Sequence, residues 1–166
     1  KDNSMWMRFD EAGGNYLNTS SIIISSIFAL NGKIYAGDSY AYGLFTIDFI
    51  VDSGRHINIT DNTRGASGYI SLRNSASNAF ASISSNEIIS DVVNDVHAAV
   101  VNGKTYVAVA TNDGVSVINE NDGVVVDISL PTASNFSEHY NVEIAGDDLY
   151  TSVTDAGYNP DQIIVY

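Results

Sequence analysis

Apolar positions in this chain alternate with polar ones or fall in short blocks, and the blocks are divided by turns rich in Asn, Asp and Gly. Helical spacing of apolar residues is weak throughout, so the pattern predicts strands. Segments 22–30, 33–37, 44–51 and 55–60 form one predicted group. Segments 96–101, 104–111, 115–119 and 124–130 form a second. A third comprises 140–145, 149–153 and 162–166. Asn31-Gly32 and Asn102-Gly103 stand between apolar runs, and Asn-Gly is the favoured filling of a type I′ turn, whose two central residues both need positive φ. Val, Ile, Tyr and Thr are abundant, as strands favour. Pro131 and Pro160, the two prolines, both fall in predicted loops.

The groups repeat. The sequence from Phe28 through Asn31-Gly32-Lys33 to Tyr35 is matched by Ala99 through Asn102-Gly103-Lys104 to Tyr106, and in degraded form by Ile144 through Gly146-Asp147-Asp148 to Tyr150. Tyr106 and Tyr150 are 44 residues apart and Tyr35 and Tyr106 are 71 apart. Multi-strand repeats of about 40–45 residues mark propeller blades, and the longer interval leaves room for one irregular blade. The predicted fold is therefore all-β, a β-propeller sector of about four four-stranded antiparallel blades in an incomplete ring. The blades are placed at 20–60, 61–93 (irregular, Ser/Asn-rich, with a strand at 69–72 and a short helix or strand at 87–93), 94–131 and 138–166. Residues 1–19 are expected to end a preceding blade or to link to one, and the apolar run 163–166 reads as an unfinished strand of a longer polypeptide.

Composition narrows the function. Asp and Glu number 20 against 7 Lys and Arg, for a net charge of −13, and no basic run occurs. That argues against a nucleic-acid partner, since phosphate binding depends on basic patches. The longest apolar stretch, 22–30, falls far short of the roughly 20 residues that span a bilayer, so no membrane insertion is expected. Without cysteine there is no disulfide, thiolate zinc site or cysteine nucleophile.

Candidate chemistry is sparse. His56, His97 and His139 lie in no metal-ligand spacing, no G-x-S-x-G elbow occurs, and the Asp-rich turns lack the full calcium-loop pattern. Asx turns account for them without a metal. No catalytic residue, metal site or cofactor is expected. Tyr35, Tyr40, Tyr42 and Phe45 form an aromatic group of the kind that stacks on sugar rings, with Asp38 and Asp48 nearby to accept hydroxyl hydrogen bonds. Tyr35 recurs in the repeat and reads as packing. Asp38, Tyr40 and Tyr42, beside Gly37 and Gly43, are the ligand-binding candidates.

Several phrases carry a family resemblance: Met5-Trp6-Met7-Arg8-Phe9, the segment 29–36 followed by Ile47-Asp48-Phe49, 73–96, and 107–118 continued by 122–128. They are similar to propeller-bearing virion proteins of tailed phages from environmental samples. The likeness covers most of the chain and departs after Val101, where a two-residue turn replaces a longer Pro-rich insertion. It implies a tail- or fibre-associated structural protein, in a virion or otherwise extracellular. The expected partners are other copies or domains of the same assembly and, through the Asp38, Tyr40 and Tyr42 loop, a cell-surface glycan. The resemblance implies no active-site residues. The alternative is a secreted or cell-surface prokaryotic propeller in adhesion, filament or matrix. A propeller glycosidase or lyase ranks third.

Overall fold

The computed structural model describes residues 23–40, 42–57, 66–68, 81–82, 88–129, 136–155 and 162–166. Among them are thirteen strands and no helix. The first sheet runs β1 (Ile24–Leu30), β2 (Lys33–Asp38), β3 (Gly43–Asp48), β4 (Ser53–Ile57), β5 (Ala66–Gly68) and β6 (Ala81–Ser82). The second comprises β7 (Val93–Val101), β8 (Lys104–Thr111), β9 (Gly114–Asn119) and β10 (Val125–Ile128). The third holds β11 (Phe136–Ala145), β12 (Asp148–Asp155) and β13 (Gln162–Val165). Every strand pairs antiparallel with its neighbour in sequence, so each sheet is a simple meander.

The turns follow their residues. Asn31 and Gly32 take φ of 50° and 75°, and Asn102 and Gly103 take 51° and 77°, the two positive values of a type I′ turn. The third copy differs: Gly146 alone is positive, at 67°, as a type II′ turn requires of its first central residue. Register is the same in all three, because Leu30 faces Lys33, Val101 faces Lys104 and Ala145 faces Asp148. Tyr35, Tyr106 and Tyr150 therefore occupy the same position on the second strand of each sheet.

The middle of the chain departs from expectation. β5 and β6 extend the first sheet beyond β4, so the described strands of 61–93 belong to that sheet and form no blade of their own. Among the described residues there are three sheets, where about four blades were expected. Residues 88–92 form neither helix nor strand. The expected strand at 69–72 and the linking role of 1–19 lie outside the described residues.

β8, inside the second sheet, is buried on both faces along most of its length, which explains its unbroken apolar run Val107-Ala108-Val109-Ala110. Successive strand residues face opposite sides. Val107 and Val109 enter a core with Tyr35, Leu44, Ile57 and Ile88 on the first sheet's side, while Ala108 and Ala110 meet Val142 and Leu149 of the third. On β8 the valines thus face one junction and the alanines the other.

The first strands of the three sheets are also tied together. Asp95 on β7 accepts from Ser26 Oγ of β1 at 2.7 Å through Oδ1 and from the Val142 N–H of β11 at 3.0 Å through Oδ2. Two residues on, His97 packs against the Phe28 ring, with centroids 4.4 Å apart, and its Nδ1 accepts from the Ile144 N–H at 3.1 Å. One carboxylate and one imidazole thus hold three sheets in place.

Candidate functional site

The loop between β2 and β3 brings the three candidate residues together, in unequal roles. Asp38 ends β2 and is completely buried. Its Oδ1 accepts from the backbone N–H groups of Ile23 at 3.0 Å and Tyr40 at 2.8 Å, so the carboxylate faces its own loop. Its Oδ2 is buried without a hydrogen-bond partner. Asp38, expected as a ligand-binding residue, lies below the surface and fixes the base of the loop on which the tyrosines sit.

Further bonds lock the same base. The Ser39 N–H donates to Ile23 O at 2.9 Å, and the Gly43 N–H, at φ 75°, donates to Asp91 O at 2.9 Å in the segment leading to β7. His56 Nε2 donates to Tyr42 O, and its ring stacks on Phe45 at 4.4 Å with 7° between planes. Tyr40 is 57% exposed and Tyr42 half-buried, with ring centroids 6.3 Å apart and planes 30° from parallel. The arrangement is a shallow aromatic step on a pinned support.

The other aromatic candidates lie inward. Tyr35 and Phe45 are buried. Asp48 is buried too, and its Oδ1 accepts from the N–H groups of Ile50 and Val51 at 2.9 and 3.2 Å, which takes it out of the running as a sugar acceptor. Its remaining oxygen meets Lys33 Nζ at 3.3 Å, and Lys33 reaches across to Glu120 of the second sheet at 2.6 Å. Burial opposes ionisation of Asp48, but the two backbone N–H groups and Lys33 outweigh it and hold the carboxyl below its ordinary range. Burial likewise opposes the charge on Lys33 and is outweighed by Glu120 and Asp48, which leaves its pKa raised. The Tyr35 hydroxyl is pushed up by burial first and by the Glu120 and Asp48 carboxylates second. This cluster clamps two sheets, and no sequence signal links Lys33 to a residue 87 positions away.

The turn after β9 is occupied by bonds of its own neighbourhood. Asp122 accepts from the Val124 N–H at 3.1 Å and from Asn119 Nδ2 at 2.7 Å, and Asn121 Oδ1 accepts from the Thr105 N–H at 2.9 Å. Among the described residues no group of three or more His, Asp or Glu side chains could hold a metal ion. His139 is fully buried, with Nδ1 3.0 Å from Thr151 Oγ1. Because the Thr151 hydroxyl donates to Asn141 O at 2.9 Å, the imidazole must donate through Nδ1, which leaves Nε2 an acceptor, buried and without a partner. Burial lowers its pKa.

No family model and no curated protein matches the chain. Among solved structures it is similar to the computationally designed Ika4 protein, at 12% identity and a TM-score of 0.40 over 90% of this chain and 93% of that one. It is also similar to the extracellular domain of a hybrid two-component system from B. thetaiotaomicron, at 11% identity and a TM-score of 0.39, over 78% of this chain and 20% of that one. At these scores neither likeness defines the fold.

Proposed function

We propose that the chain is a propeller sector in a virion or other extracellular assembly and that it binds a cell-surface glycan through the β2–β3 loop, without catalysis. The propeller reading is supported by three meander sheets whose first strands, β1, β7 and β11, share the bonds of Asp95 and His97. Blades of a propeller meet in this way. The virion setting rests on the sequence resemblance described above.

The observation that carries the binding role is the Tyr40–Tyr42 step, exposed at Tyr40 and half-buried at Tyr42, on a loop whose base is held by hydrogen bonds. A rigid aromatic surface loses little entropy when a sugar ring stacks on it, and loops on a fixed scaffold are where binding residues concentrate. Replacing Tyr40 and Tyr42 together by Ala should weaken binding to an array of bacterial surface polysaccharides by about fivefold or more, if each stacked ring contributes about 0.5–1.5 kcal/mol. The melting temperature should stay nearly constant. Unaltered glycan binding would refute the role, and unfolding would show that the rings serve packing.

A further inference from the structure

A second concavity lies at the other ends of the strands. The β2–β3 loop is bonded to Asp91, just before β7, whereas this cleft opens beside Val101 and Asn102, where β7 ends. It measures about 360 Å³ and separates the second sheet from the third. Tyr106 and Val117 form one wall, and Ile144 and Leu149 form the other. Asp147 and Asp148 stand at the rim.

The volume suits a small molecule, since ligand clefts run from about 300 to 1,000 Å³. Apolar walls favour a ligand with an aromatic or branched aliphatic body over a polyol, whose hydroxyls would lose water without gaining partners there. The rim sets the charge. Asp147 Oδ1 has only a long contact, 3.4 Å, from Asn102 Nδ2, and Asp148 Oδ2 has one of 3.4 Å from the Tyr150 hydroxyl. Among the described residues neither carboxylate forms an ion pair. An anion would meet both of them and a chain of net charge −13. A cation would complete them, and the Tyr106 side chain lines the same cleft.

We propose that this cleft binds a small amphipathic ammonium compound, with its apolar body between Tyr106, Val117, Ile144 and Leu149 and its charge at Asp147 and Asp148. The site is independent of the tyrosine step. Titrating the full chain with phenethylammonium and, separately, with its neutral analogue 2-phenylethanol tests it by amide chemical-shift mapping. The ammonium should shift the amides of residues 101–106 and 144–149 saturably and bind several-fold more tightly than the alcohol. The double substitution Asp147→Asn with Asp148→Asn should weaken the ammonium about fivefold and leave the alcohol unchanged. The Tyr40→Ala, Tyr42→Ala protein should bind both probes as the parent does, which separates this site from the glycan role. Equal affinity for the two probes, shifts centred elsewhere, no saturable shift, or indifference to the Asp substitutions would each overturn the proposal.

Discussion

Gly37→Ala is the substitution whose cost is most directly worked from this structure. Gly37 lies on β2 where the first sheet meets β7, and its backbone is ordinary, so only space is at issue. A Cβ there would stand 2.4 Å from Val93 Cγ1, 3.1 Å from Val93 Cβ and 3.2 Å from Val96 Cγ2. Carbon atoms in contact prefer about 3.5–4.0 Å, so more than an ångström must be found. Val93 cannot supply it by rotating: it is fully buried, and a β-branched side chain has few rotamers. Overpacking of this kind costs about 1–3 kcal/mol, and the reduced freedom of the unfolded chain returns about 0.4–1 kcal/mol. The net loss is about 1–2 kcal/mol, or roughly 2–8 °C in melting temperature for a chain of this size. Urea unfolding followed by far-ultraviolet circular dichroism measures it. Val93→Ala should then relieve Gly37→Ala, so that the double variant is at least about 1 kcal/mol more stable than the sum of the single losses predicts. A Gly37→Ala midpoint equal to the parent's, or strict additivity with Val93→Ala, would refute this account of the junction.

Two further perturbations address the loop and the buried imidazole. Asp38→Ala removes an acceptor shared by two backbone N–H groups, at about 1.5–3 kcal/mol per charged bond, and should speed hydrogen exchange at Tyr40; Asp38→Asn, which keeps one acceptor oxygen, should do less on both counts, and equal effects would remove Asp38 from its organising role. Because burial lowers the pKa of His139, the unfolded chain takes up a proton first as pH falls. Stability should therefore be full above about pH 6.5 and decline as pH falls from there toward the folded value. His139→Gln should flatten that decline, and an unchanged slope would assign the titration to another group. Asp48 adds a second, more acidic decline, since its depressed pKa confers stability above about pH 3.9 that is lost as pH falls through the folded value.

What could be read in advance was whatever depends on neighbours in sequence. Asn31-Gly32 and Asn102-Gly103 dictate their own geometry, so the hairpins and the equivalence of Tyr35, Tyr106 and Tyr150 were legible, and β8 matches its predicted 104–111 bounds. Residues 61–93 were not, because a strand as short as β5 or β6 carries too few side chains for a period and joins whichever edge is open. The tyrosine step was legible from Gly37, Gly43 and the aromatic spacing. The burial of Asp38 and Asp48 was not, because an Asp beside a turn gives the same signal whether its carboxylate faces solvent or its own backbone. The cleft escaped notice because its walls come from two sheets, and Asp147-Asp148 by itself resembles any polar turn.

The division between nearest-neighbour pairing within sheets and distant bonds between them bears on how the molecule comes apart. Each meander pairs strands that are neighbours in sequence, while the Ser26–Asp95 bond joins residues 69 positions apart. Loop-closure entropy is thus concentrated in the docking of finished sheets. Partial opening at low cost should separate one sheet from the next while its own ladder stays paired, which makes each sheet a cooperative unit. Native-state hydrogen exchange would then sort the ladder amides into groups by sheet, the third, with three strands, opening at a lower free energy than the doubly covered second; a single opening energy for all three would show that the junctions never yield before the sheets do.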